Sequence, residues 1–431
     1  MDSQPLRDHA RILIASLVGT AVEYYDFFIY ATAAALVFGP LFFPAQSEAA
    51  QTLLAFMSFG IAFVARPIGA IAFGHFGDRI GRKSTLVASL LLMGVSTLAI
   101  AFLPTYAMVG WVAPALLCLM RFGQGFGLGG EWGGAALLAV ENAPKGWEAR
   151  FGAAPQLGVP VGFMAANGLF LVLGFYLSDA DFLAWGWRVP FVASAALVVL
   201  GLWVRLKISE TPEFRAALSK EPPLPVPIAT LLRRHFGAVL AGSAGVVSTY
   251  ALFYLATAFA LAEATGPLGY QRETFLGIQL FANLFLVLGI VLAATHADRG
   301  SPAGTILRGA LVTAVIGLVF SPTLGAGSLP LATLLLIAAM IALGFNNAPL
   351  GSWLSGLFPV RVRYSGVSLA FNTGGIVGGA LTPIAAQTLS AEGAGHYTGL
   401  LLTVAGLMTF GGVLLSRSEA SREDAGVAVK R

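Results

Sequence analysis

Charge is scarce in this sequence. Asp, Glu, Lys and Arg make up 11% of its 431 residues, against 57% hydrophobic, where a soluble globular domain carries about 25% charged residues. That shortage excludes a chain that is soluble throughout and indicates a membrane protein. Cysteine is all but missing: Cys118 stands alone in an apolar run, so neither an internal disulfide nor a thiolate metal site can form. A Ser/His/Asp set, an H-E-x-x-H run and metal-ligand spacings are also lacking, which argues against a membrane enzyme and leaves no cofactor or metal expected. The formal charge of +4 is too small to imply a nucleic-acid partner.

What the chain does have is apolar runs. Measured against the roughly twenty residues that cross a bilayer, twelve qualify. They lie near 12–40, 51–74, 84–103, 111–140, 151–177, 188–206, 236–262, 273–295, 304–320, 331–357, 365–390 and 397–416. The first follows the polar MDSQPLRDHAR and is longer than a signal-peptide core, so it is expected to be retained. Trp185 and Trp187, beside the sixth run, read as interfacial anchors. The 52 glycines and 22 prolines are tolerable inside the runs, because neighbouring helices satisfy freed backbone groups and small residues permit close contact.

Lys and Arg are sorted by side. With the N-terminus inside, Arg188 and Arg272 fall outside, Arg66 and Arg121 fall within spans, and the rest of the 25 lie on the inner side. Both termini are therefore expected in the cytoplasm. The longest polar interruption, 207 to 235, divides the chain into a six-helix bundle over 1–206, a cytoplasmic linker over 207–235, and a second six-helix bundle with a short tail over 236–431. Prolines 222, 223, 225 and 227 make the linker stiff, with a short surface helix before them. GHFGDRIGRK ends span two and a weaker THADRGSPAG ends span eight, with Asp78 and Asp298 lying 220 residues apart. Two six-span repeats follow, an arrangement in which secondary transporters place a site between the halves near the midplane.

GHFGDRIGRK resembles the loop signature of the major facilitator superfamily. Its glycines permit a tight turn, and Asp78 can pair with a cation or face a helix N-terminus on the other half. EYYDFFIY (23 to 30), ARPIGAIAFGHFGDRIGRK (65 to 83), RFGQGFGLGGEWGGAALLAVENAPK (121 to 145), WGWRVPF (185 to 191) and LFPVRVRYSGVSLAFN (357 to 372) narrow the resemblance. Together they are similar to the metabolite:proton symporter branch and its shikimate-type carriers. Ser301-Pro302-Ala303 and Ser355 depart from the family pattern in the second half. The resemblance implies an all-α fold of twelve transmembrane helices in a bacterial-type inner membrane, functional as a monomer. It also implies a cytoplasmic gating set of Gly74, Asp78, Arg79, Gly81, Arg82, Lys83, Glu141 and Arg150.

A charge within a span costs several kcal/mol unless it is paired or meets water, so each is a functional candidate. Away from their ends, the spans hold Glu23, Asp26, Glu131, Arg66 and Arg121, all in the first half. Depth separates a lower cluster of Glu23, Glu131 and Arg66 from a deeper Asp26 and Arg121. The resemblance implicates the arginine of the R-x-x-x-G pattern, Arg121 to Gly125, in proton coupling with an acid on span one. In the lower cluster two acids compete for one arginine. Glu131 is the favoured proton carrier there, because Gly127, Gly129, Gly130 and Gly133 open space around it. Solute contacts are expected from Arg66, Tyr30, Trp132, Gln156, Tyr250, Tyr254, Asn346 and Asn347, with Asn167, Gln279 and Asn283 as further polar groups that helix packing would use equally well.

The expected function is import of a small organic solute, a carboxylate by resemblance, together with protons. The alternative is a proton-driven exporter of amphiphilic compounds, with GVPVG (158 to 162) in span five as its sequence hint. A channel needs neither two repeats nor locking loops.

Overall fold

The structure, a computed structural model, describes residues 9–44, 47–80, 82–206 and 227–428. Among them there is no strand. Eleven helical stretches are long and apolar enough to cross a membrane: Leu13–Phe42, Glu48–Phe73, Val112–Glu141, Glu148–Tyr176, Gly186–Trp203, Phe236–Thr265, Arg272–Arg299, Pro302–Leu324, Leu329–Gly356, Arg363–Ala391 and Gly395–Ser416. A shorter apolar stretch, Val87–Ile100, belongs to the helix Arg82–Ile100 and completes the expected twelve. Numbered in chain order, spans 1 to 6 precede the 207–226 segment and spans 7 to 12 follow it. The surface helix expected before the linker prolines lies outside the described residues. After them, Pro227 begins the helix Pro227–Arg234, where a first-turn proline costs no hydrogen bond.

Lipid is as apolar as leucine, so helices associate here through close approach rather than through burial from water. Spans 2 and 4 meet backbone to backbone: a Cβ on Gly69 would overlap the Phe126 carbonyl, and one on Gly125 the Ala62 carbonyl. In the second half Gly289 and Gly344 bring spans 8 and 10 together in the same way. The offset between halves thus governs packing as well as loops.

It also governs where helices are interrupted. Span 1 contains a π-turn at Ala34–Phe38 and span 7 one at Leu255–Phe259. Span 4 breaks between Leu128 and Glu131, and span 10 between Asn347 and Leu350. Span 5 breaks at Leu157, and span 11 has a π-turn at Ile376–Leu381. Each pair is separated by the same 220 residues as Asp78 and Asp298, to within two. A π-turn leaves carbonyls poorly used by their own helix. In span 7 they are taken up by Gln279 of span 8, whose amide donates to Ala256 O at 3.1 Å and Thr257 O at 2.8 Å.

One anchor is misread from sequence. Trp185 is half-exposed, but Trp187 is fully buried among Phe38, Phe42 and Phe191, with ring centroids 5.6 to 5.9 Å apart. Its place is the core of the first bundle, because the turn Gly186–Arg188 points it inward while Arg188 bonds the Ala101 and Leu103 carbonyls.

Candidate functional site

Two buried guanidiniums share one aromatic ring. Arg66 of span 2 lies 4.2 Å over the Phe27 ring and Arg121 of span 4 lies 4.1 Å over the same ring. Arg66 also stacks on Phe63 at 4.6 Å, and Arg121 on Tyr30 at 4.1 Å and Phe59 at 4.7 Å. Desolvated cation–π contacts of this kind contribute about 2 kcal/mol each. They do not supply acceptors. Arg66 donates to the Tyr250 hydroxyl at 3.3 Å, across the gap between the halves, while its Nε has no acceptor in the protein; neither has Nη2 of Arg121.

Asp26 stands one relay away from Arg121. Its Oδ1 accepts from Ser194 at 2.5 Å and its Oδ2 from Thr97 at 3.1 Å. Gln124 donates to Thr97 at 2.7 Å and accepts from Arg121 Nη1 at 3.0 Å. The family resemblance implicates Arg121 with an acid on span one; the structure puts Gln124 and Thr97 between it and Asp26. Thr97 has one hydroxyl proton and two acceptors in reach, Asp26 and the Met93 carbonyl at 2.9 Å. The network therefore accommodates Asp26 with or without a proton, since the Thr97 proton can turn to Met93 when Asp26 carries its own.

Behind Tyr250, to which Arg66 donates, lies a cavity of about 20 Å³ between the halves, lined by Tyr24 and Val159 of the first half and Thr249, Tyr250, Phe253, Tyr254, Leu343, Asn347 and Phe371 of the second. That is room for about one water. It is shut towards the face where the helix Glu48–Ile80 ends by Trp132, stacked on Phe371 at 3.5 Å, by Tyr364 bonded to Gly130 O, and by Asn372 bonded to Gly129 O. Further out, Arg150 pairs with Asp298 at 2.5 Å and Glu141 with Arg363 at 3.7 Å. Towards the opposite face the closure is aromatic: Phe27, Phe59, Phe63 and Tyr254 pack together, with Phe63 seated on Gly375 and on Gly379 of the span 11 π-turn that follows it. Arg272 at the start of span 8 meets Asp179 at 3.4 Å there. The molecule is closed on both sides of its centre.

Relatives share this architecture and much of the sequence. The inner membrane metabolite transport protein YhjE of Escherichia coli is 44% identical, covering 94% of this chain and 93% of its own. The shikimate transporter of Escherichia coli is 38% identical over 90% of this chain and 89% of its own. This chain belongs to the major facilitator superfamily. The profile of its sugar (and other) transporter family matches residues 12–221. The proton:xylose symporter XylE has the same fold, with a TM-score of 0.72 over 95% of both chains at 16% identity. The facilitator is thus a transporter of the metabolite branch and not an enzyme.

Within the facilitator's fold the expected solute contacts disperse. Tyr250, Tyr254 and Asn347 line the cavity, Arg66 reaches it through Tyr250, and Trp132 abuts it through Phe371. Gln156 is fully buried at the span 5 break, both amide atoms without a hydrogen-bond partner in the protein. Tyr30 instead bonds Ser58 at 2.8 Å beneath Arg121, and Asn346 bonds Thr313 at 2.8 Å inside the second half. Asn167 and Asn283 join helices, to Thr32 and Pro160 O respectively. Glu23 and Glu131 are buried, Glu131 in the first turn of Glu131–Glu141. Of the gating set, Arg150 and Glu141 make the contacts given above; Gly81 and the side chains around Gly74, Asp78, Arg79, Arg82 and Lys83 lie outside the described residues. Sequence reasoning passed over Thr97, Gln124 and Ser194. Gln124 was legible as a polar group one turn from Arg121. Thr97 and Ser194 were not, since a hydroxyl in a span usually bonds its own helix, as Ser96 does to Leu92 O.

Proposed function

We propose that this transporter imports a small carboxylate solute by proton symport, with Asp26 carrying the proton and Arg121 and Arg66 receiving the anion. The observation that carries the proposal is the Asp26–Thr97–Gln124–Arg121 chain, together with one N–H group on each buried arginine that lacks an acceptor in the protein, Arg66 being linked to the cavity through Tyr250. Its logic is charge balance. Empty, the relay joins one carboxylate, Asp26, to one guanidinium, Arg121, and the second guanidinium, Arg66, is balanced in this reading by the buried Glu131. A proton alone leaves a buried positive charge unmatched, and an anion alone leaves a negative one; each costs several kcal/mol in a dry interior. Proton and carboxylate together restore neutrality. Only the empty and the fully loaded carrier then pass easily through the closed state, which is the condition for coupling. Sequence alone favours Glu131 as the proton carrier. Its position in a helix first turn, where the backbone dipole favours negative charge, suits a permanent counter-charge better.

Arg121 is then the solute's counter-charge, Arg66 adds an N–H donor from span 2, and Tyr250, Tyr254, Asn347 and Phe371 close on the solute's body. The sorting of Lys and Arg places both termini and the Arg150–Asp298 contact on the cytoplasmic side of an inner membrane. A single chain encloses the whole site, so the monomer suffices.

The test is uptake of labelled organic acids into liposomes holding the purified protein, with an imposed inward proton gradient. Accumulation of a carboxylate, and none of its amide, is expected. Uptake indifferent to the gradient would remove the proposal.

A further inference from the structure

Away from the central cavity, spans 1, 5 and 8 leave an apolar groove of about 550 Å³ between the two halves, near the Arg150–Asp298 contact. Ala153, Ala154 and Ala294 form its floor; Leu13, Leu17, Leu157 and Ile290 form its walls; half-exposed Ile14 and Val291 form its lips. The groove thus opens sideways within the spans. Its rim is different in kind. Arg150 and Trp147 border it, the guanidinium 3.4 Å over the indole. Tryptophan and arginine at the end of a hydrocarbon-facing groove mark the headgroup level of a bilayer.

Arg150 is paired with Asp298, but that carboxylate has other partners. Its oxygens accept from the backbone N–H of Ala149 at 2.7 Å and of Arg150 at 3.2 Å, at the N-terminus of the helix Glu148–Gln156. The helix end balances much of the Asp298 charge. Arg150 donates through Nε to Asp298 and through Nη2 to Gly146 O, which leaves Nη1 and part of its five-donor fork at the rim for an anionic oxygen.

We infer that the groove binds one anionic phospholipid, with an acyl chain over the three alanines and the phosphate on Arg150. Because the walls belong to span 8 on one side and spans 1 and 5 on the other, the site exists only while those spans are together. The bound lipid therefore holds the Arg150 face closed, and its loss favours opening.

Brominated acyl chains quench tryptophan on contact, and Trp147 is at the rim. In mixed vesicles at low mole fraction, dibrominated phosphatidylglycerol is expected to quench the Trp147 fraction about fivefold more effectively than dibrominated phosphatidylcholine, the ratio that one arginine contributes at a membrane surface. That fraction is defined by difference from Trp147→Phe. Ala154→Phe, which fills the floor, should abolish the preference, and native mass spectrometry should then show the retained phosphatidylglycerol lost. Equal quenching by the two lipids overturns the inference, as does a preference that survives in both Ala154→Phe and a second filled variant, Ala294→Leu. So does protection of the groove by a transported amphiphile or by the chain's own N-terminus in the absence of anionic lipid.

Discussion

At the residue scale the site depends on groups that are buried without complete partners, and on their exact shape. Arg66→Lys keeps the charge but loses the flat stack on Phe27 and Phe63 and most of the donor fork. The KM for a carboxylate is expected to rise at least about tenfold, the equivalent of one lost charged hydrogen bond; an unchanged KM would place the solute elsewhere. Gly125 makes a separate prediction, since a methyl group there would enter the Ala62 carbonyl. Gly125→Ala should lower thermal stability by about 1–3 kcal/mol in detergent, the usual range for overpacking. A melting curve that does not move would show that spans 2 and 4 separate easily.

At the scale of helices, the contacts that shut the Arg150 face differ in worth. Asp298 is nearly buried and serves both a guanidinium and a helix end, whereas Glu141 and Arg363 lie 3.7 Å apart and partly exposed. Asp298→Asn is expected to weaken closure by about 1–3 kcal/mol, and Glu141→Gln by less than about 1 kcal/mol. Alkylation of a cysteine placed at Ala136, buried against Gly351 of span 10, in a Cys118→Ser background reads this directly. The rate should rise at least about fivefold for Asp298→Asn and hardly at all for Glu141→Gln. The reverse order would assign the lock to the Glu141 pair. Span number and the repeat offset were legible in the sequence because bilayer thickness fixes run length and because Asp78 and Asp298 recur at a fixed distance. The π-turns were less so: Pro40 and Pro383, just after those of spans 1 and 11, remove a helical donor but do not fix the form of the interruption, and in span 7 the freed carbonyls are taken by Gln279 of another helix.

For the whole molecule, closure at both faces about a cavity of about 20 Å³ means that any organic solute must enter through a different arrangement of the halves. The five charges within the spans were visible from sequence, since bilayer insertion makes each one conspicuous. Their partners were not. The resemblance implicates Arg121 with an acid of span one; in the structure Gln124 and Thr97 stand between Arg121 and Asp26, two residues whose place depends on where spans 3 and 4 cross.

Charge balance between Asp26 and Arg121 makes one demand that no merely structural role shares. With Asp26→Asn the empty carrier always holds an unmatched arginine, so it should not return across the membrane, while the carboxylate-loaded carrier remains neutral. Exchange of labelled for unlabelled carboxylate across liposomes should then persist at near wild-type rate, and accumulation driven by external acid should vanish; Glu131→Gln, measured alongside, should retain gradient-driven accumulation. Acid-driven accumulation intact in Asp26→Asn, or loss of exchange and accumulation together in a folded protein, would contradict the account.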